Sequence, residues 1–294
     1  MHHHRSGLSQ PRHRDRDAGA GFGRFDDAGG RPGRSVSHGP GRRQRPSTPR
    51  APESLSPCRI HCRRESRDLL SGQENLVITK IADGIYARKI IVAGEPWPLT
   101  TYLWITKNHN LYLDAGLGEN ALLELSEYAD PSKKNTLVYS HYHFDHVWGG
   151  HALKDPEILA HRRFLDHQVH LEKDRLNLIR YAEGKNEIAL PTRYIDDDLD
   201  FDDELRILYA PGHTDDGLMV YHKTLHILFM GDVAADEGRD LPELAGSVDS
   251  YLATLKKLEG LRIKQILCSH RDPEDANYLN ILVENAYILR KNCQ

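Results

Sequence analysis

Apolar and polar positions divide the chain into two unlike stretches. Residues 1–72 have almost no apolar periodicity, whereas from Leu76 onward short apolar runs alternate with turn residues. Leu76-Val77-Ile78 and Ile85-Tyr86-Ala87 read as strands around the turn Asp83-Gly84. Ile90-Ile91-Val92 runs into a loop, Gly94-Glu95-Pro96-Trp97-Pro98. Tyr102–Ile105 and Leu111–Leu113 form a predicted hairpin across Lys107–Asn110. Further strands are predicted at Thr136–Tyr139, Leu205–Tyr209, Leu218–Tyr221, Ile227–Met230 and Gln265–Cys268. Helical spacing appears over Glu119–Tyr128, Arg162–Glu183, Val248–Leu258 and Ala276–Leu289. Short strands in two groups, each followed by helices, predict an α/β sandwich: two sheets face to face with helices outside.

Charge sharpens the division. Residues 1–72 carry 15 Arg, no Lys and 7 acidic residues, while residues 73–294 carry 24 basic and 36 acidic residues. The first stretch also holds 10 Gly and 7 Pro. Such a composition buries too little apolar surface to offset the entropy of ordering, so disorder is expected over 1–72. A tag-like Met1-His2-His3-His4 and all-Arg usage favour a non-native extension over a nucleic-acid-binding arm. Residues 73–294 are expected to form one catalytic domain. No run of about 18 apolar residues exists to span a membrane. Cys58, Cys62, Cys268 and Cys293 suggest no disulfide framework, so a cytoplasmic setting is expected. Cys58 and Cys62, with His61 between them, lack a second ligand pair and are not read as a metal site.

The chemistry concentrates in Ser140-His141-Tyr142-His143-Phe144-Asp145-His146. Alternate residues of an extended chain share a face, so His141 and His143 can reach one metal. As the chain turns toward helix, Asp145 and His146 can point at a second. Three later segments repeat the arrangement of an apolar strand ending in a possible ligand: Ala210-Pro211-Gly212-His213-Thr214, Met230-Gly231-Asp232 and Cys268-Ser269-His270. Ligands carried on four strand ends can converge. Imidazole and carboxylate suit zinc, and also iron or manganese. His109, His161, His167, His170, His222 and His226 read instead as solvated or structural.

These elements, in this order, resemble the metallo-β-lactamase-fold hydrolase superfamily over roughly residues 75–294, with Leu113-Asp114-Ala115-Gly116 resembling its upstream Asp-x-Gly element. The resemblance implies an αββα sandwich of two mixed sheets flanked by helices. It implies two divalent ions, zinc foremost. His141, His143 and His213 would hold one, Asp145, His146 and His270 the other, with Asp232 bridging. Asp114 would steady the ligands from behind. The implied reaction is hydrolysis by a hydroxide bridging the ions, with Asp145 and Asp232 as the catalytic carboxylates.

Asp232 stands where true β-lactamases of this fold usually place Cys or Ser, so the resemblance is to the bridging-Asp branch of lactonases and glyoxalase II-like enzymes. Only 24 residues follow His270, too few for the C-terminal extension of glyoxalase II. An acidic domain is a poor match for a polyanion. A lactone or carboxylic ester is therefore expected, with phosphodiesterase, thioesterase and weak β-lactamase activities as alternatives, and a non-catalytic metal-stabilised or nucleic-acid-binding protein as a further one. A small-molecule partner is expected, with no membrane and no nucleic acid; a homodimer is left open. Trp97, held between prolines, is expected to touch substrate. The sequence departs from the family pattern at Asp215-Asp216 and at Arg271. The two aspartates would repel anions; Arg271 would pair with one of them or bind a substrate carboxylate.

Overall fold

In the computed structural model, residues 76–292 are described. The Arg-rich stretch over 1–72, the Cys58/His61/Cys62 group and Cys293 lie outside them.

Seven strands form the first sheet, in sequence order: β1 (Leu76–Ala82), β2 (Ile85–Ile91), β3 (Pro98–Ile105), β4 (His109–Leu113), β5 (Lys134–Val138), β6 (Glu157–His161) and β7 (Arg193–Ile195). Pairing is antiparallel from β1 to β4 and parallel from β4 to β7. The predicted hairpin is present, with Tyr102 opposite Leu113. Five strands form the second sheet, ordered β12-β11-β10-β9-β8: β8 (Leu199–Asp200), β9 (Leu205–Tyr209), β10 (Leu218–His222), β11 (Ile227–Gly231) and β12 (Gln265–Cys268). Only β11 and β12 run parallel there. Both sheets are therefore mixed. β6, β7 and β8 were not predicted; they are short, and only β6 carries a run of apolar residues.

Three packed layers separate these elements. Tyr102, Trp104, Leu113, Val138, Val220, Phe229 and Leu267 fill the space between the sheets. Helix α1 (Glu119–Ser126) and the short α2 (Phe144–Val147) cover the outer face of the first sheet through Leu122, Leu125 and Trp148. Helices α4 (Val248–Lys256) and α5 (Asn277–Asn292) cover the second through Tyr251, Leu255 and Leu282. Ser247 caps α4, its hydroxyl accepting the Ser250 N–H. The result is an αββα sandwich in which central strands such as β3, β4, β10 and β11 are buried on both faces, while β1 and β8 at the sheet edges stay partly exposed.

The stretch Arg162–Glu183 departs from the expected single helix. It is a 3₁₀ segment (Arg162–His167), then α3 (Gln168–Asn177), then a 3₁₀ turn (Ile179–Tyr181). Its apolar spacing does not mark a buried face. Phe164 and Leu171 are buried, but Val169, Leu176 and Ile179 are 85%, 63% and 57% exposed. Among the described residues, no helix is long and apolar enough to cross a membrane.

Candidate metal centre

The two sheets bring their strand ends together at one edge of the sandwich. The loop after β5 and the first turn of α2 supply His141, His143, Asp145 and His146; the loop after β9 supplies His213; Asp232 follows β11 and His270 follows β12. Gly231 adopts φ +54° immediately before Asp232, and a Cβ there would lie 3.1 Å from Ser140. Glycine therefore lets the β11 end turn sharply against the histidine loop.

His141, His143, His213 and Asp232 form one group able to hold a metal; Asp145, His146 and His270 form a second. His143 Nδ1 lies 2.8 Å from His141 Nε2 and 3.0 Å from His213 Nε2. Asp232 Oδ2 stands between the groups: 3.8 and 3.7 Å from Nε2 of His141 and His213, and 3.4 and 3.3 Å from Nε2 of His146 and His270. Asp145 Oδ2 is 3.2 Å from His270 Nε2.

Four of the imidazoles are fixed from behind. His146 Nδ1–H donates to Asp114 Oδ2 (2.7 Å), His213 Nδ1–H to the Glu243 carbonyl (2.8 Å) and His270 Nδ1–H to the Pro98 carbonyl (2.8 Å). His141 Nδ1 meets the Ser140 hydroxyl at 3.0 Å, while that hydroxyl donates to Asp114 Oδ2. Asp114 also accepts the Ser140 N–H. Each contact engages Nδ1 and turns Nε2 toward the centre, whereas His143 presents Nδ1 to it. Asp114 does this from a buried, left-handed conformation at φ +63°.

Protonation divides the cluster. Burial, with neighbouring His146, pushes His141 far below the ordinary histidine value, and burial beside His213 takes His143 to about 4. Both are neutral imidazoles at pH 7. Burial also acts to lower His146 and His270, but the charge of Asp232 and the adjacent Asp145 outweighs it and both are raised. Burial alone would raise the carboxylates; His146 and His270 reverse that, holding Asp145 at about 2 and Asp232 well below the usual range. The donor set fits divalent ions. His146 Nε2 and Asp232 Oδ1 are buried without a hydrogen-bond partner, an expensive state for polar atoms that no cation meets.

A cleft of about 610 Å³ opens over the cluster. Pro96, Trp97, Phe144 and Leu178 line it, and Trp97 stands edge-on to His270 with ring centroids 5.2 Å apart. Its remaining wall carries His170, Asp174, Asp236, Glu237, Arg239 and Glu243. Sequence reasoning missed these polar residues. His170 and Asp174 are one turn apart on α3, and Asp236 and Glu237 follow Asp232 closely, so spacing from the motifs was the available clue.

Two expectations need correction. Arg271 does not meet Asp215 or Asp216 and is not among the residues lining the cleft. Its guanidinium donates to Glu274 (2.6 and 3.0 Å) and to the Tyr278 hydroxyl (2.7 Å), a local arrangement that binds the β12 end to α5. Asp215 and Asp216 do not line the cleft either; Asp215 pairs with His167 and Arg163, and Asp216 is buried. The negative charge around the cleft comes from Asp174, Asp236, Glu237 and Glu243 instead.

An αββα sandwich with histidines and aspartates at the strand ends defines a metallohydrolase architecture. The family model described as the metallo-beta-lactamase superfamily matches residues 95–270, more than half of the chain. The chain belongs to that superfamily, whose members are generally metal-dependent hydrolases. It is 25% identical over 208 residues to a Caenorhabditis elegans protein named beta-lactamase-like protein 2 homolog, covering 66% of this chain. The match spans 63% of that relative's length. Among solved structures, a metallo-beta-lactamase from Erythrobacter litoralis aligns with TM-score 0.60 and 16% identity, covering 73% of this chain and 97% of its own. The metallo-beta-lactamase FIM-1 from Pseudomonas aeruginosa, in a mono-zinc form, aligns with TM-score 0.57 and 16% identity, covering 74% and 96%. These likenesses establish the shared fold.

Proposed function

We propose that the protein is a dinuclear metal-dependent hydrolase of uncharged lactones or carboxylic esters. His141, His143 and His213 would hold one ion, Asp145, His146 and His270 the other, and Asp232 both. Bound there, divalent zinc, iron or manganese supplies Lewis acidity and brings the pKa of water toward about 7. The observation that carries the substrate class is the cleft: a wall of Pro96, Trp97, Phe144 and Leu178 facing four carboxylates, with Arg239 as the one arginine or lysine among its lining residues.

The chain's own groups have distinct tasks. Asp232, equidistant within half an ångström from four imidazole Nε2 atoms, keeps the two groups in register. Asp145 lines the cleft and is ionised at neutral pH, so it can accept a hydrogen bond from an attacking water and orient it. Trp97 offers a flat apolar surface beside His270, suited to the acyl or ring portion of a substrate. Asp174, Asp236, Glu237 and Glu243 repel anionic substrates, which favours a neutral ester over a phosphodiester.

The test is turnover of a lactone, an aryl ester, a phosphodiester and a cephalosporin by metal-loaded protein, each repeated with chelator. Chelator-sensitive turnover greatest on the lactone or aryl ester is expected. Greatest turnover on the phosphodiester or cephalosporin would overturn the substrate class while leaving the metal centre standing.

A further inference from the structure

Away from the seven-residue cluster, His167, Asp215 and Asp216 each place a donor atom within 4.8 Å of the others. Asp216 is the telling member. It is 1% exposed, and neither carboxylate oxygen has a hydrogen-bond partner. The neighbouring Thr214 hydroxyl, also buried, offers it only weak hydrogen-bonding stabilisation. A carboxylate that gives up water for so weak a donor carries a desolvation cost, which a bound cation removes. His167 Nε2 lies 2.7 Å from Asp215 Oδ1, close to the 2.8 and 3.0 Å separating ring nitrogens in the main cluster. Arg163 donates to the other oxygen, Oδ2, and leaves Oδ1 facing His167. A pocket of about 270 Å³ is lined by His167, Thr214 and Asp215, so two of the three donors border open space.

We propose that His167, Asp215 and Asp216 form a further metal site, separate from the main cluster, for a divalent transition ion such as zinc or manganese. One imidazole with two carboxylates is a donor set for that class of ion. The site joins two segments that share no strand pairing: the 3₁₀ segment leading into α3, and the loop between β9 and β10 that carries His213. α3 brings His170 and Asp174 to the cleft. His167 also stacks on Tyr142, between His141 and His143, with ring centroids 3.7 Å apart and planes 7° from parallel. An ion here would fix the cleft wall against the metal loop without itself meeting substrate.

The test is metal content per chain after equilibration with zinc, and separately manganese, followed by gel filtration. Wild type, Asp216→Asn and His167→Gln are compared, with Tm measured in the loaded and chelated states. The expected result is one fewer ion per chain in both variants and a smaller metal-induced rise in Tm. Wild-type metal content in both folded variants would overturn the site. His167 is part-exposed, so His167→Gln keeps the test decisive where Asp216→Asn fails to fold. The variants are read against wild type, so the result is independent of how many ions the main cluster holds. His213→Ala examines that cluster separately.

Discussion

At the scale of single residues, Asp232 and Asp114 have different consequences for the same centre. Asp232 touches both groups of ligands, so Asp232→Ala is expected to lose at least one ion per chain, read by metal analysis; unchanged content would remove it from the ligand set. Asp114 is buried, does not line the cleft and contacts Ser140 and His146. Its loss in Asp114→Ala should weaken metal affinity by about 10- to 100-fold, the usual effect of removing a group that orients a ligand. Competition with a chromogenic chelator measures this. Asp216 supplies a pH test in chelated protein. Burial raises its carboxyl to about 7. A raised folded-state pKa means that the native state holds the proton more tightly than the unfolded chain. Its contribution is therefore fully present below about pH 4 and is lost as pH rises toward 7. Chelated Asp216→Asn should lack that decline when denaturant midpoints are compared across the window.

At the scale of elements, a buried charge ties helix to sheet. Arg88 on β2 is 2% exposed, and donates to Glu124 of α1 at 2.6 Å and, through two bonds of 3.0 Å, to Glu183 beyond α3. Removing one partner of a buried pair typically costs about 3–5 kcal/mol. Both glutamates keep some contact with water, so Arg88→Ala should cost about 2–3 kcal/mol in urea denaturation, after discounting for that screening. The outer side of α3 should behave oppositely. Val169 and Leu176 project into solvent, so Val169→Ser or Leu176→Ser should change stability by no more than about 0.5 kcal/mol. Had the helical spacing over Arg162–Glu183 marked a core face, either change would cost several times more.

At the scale of the whole molecule, the centre acts as a clamp. Its ligands come from the ends of β5 in one sheet and of β9, β11 and β12 in the other. A metal that binds the assembled arrangement and not the unfolded chain should stabilise the fold by about 4 kcal/mol when free metal is 1,000-fold above Kd. Chelation should lower Tm correspondingly, in a manner that depends on metal concentration. A Tm indifferent to chelator would mean that the strand ends assemble without an ion between them.

How much of this was legible in the chain depends on the range over which each feature is specified. The strand ends and their donors are local: His141-x-His143-x-Asp145-His146, Gly212-His213, Gly231-Asp232 and Ser269-His270 each combine an apolar run with the residue that ends it. Alternation, turn chemistry and ligand spacing act over a few residues, so the two-sheet architecture and the pairs His141 with His143 and Asp145 with His146 could be read from them, while the places of His213, Asp232 and His270 followed only from the family resemblance. Assembly decided the remainder. β7 and β8 are too short to signal themselves and form only where neighbouring backbone offers hydrogen bonds. Arg271 looked available for substrate, yet Glu274 pairs with its charge and Tyr278 of α5 accepts a further hydrogen bond from it. Asp215 and Asp216 are adjacent in the chain, but packing leaves one paired with His167 and Arg163 and the other buried away from both. The apolar stripe of α3 faces water because its polar side, His170 and Asp174, lines the cleft. Spacing along a chain specifies which side chains share a face; only the packed molecule decides what each face meets.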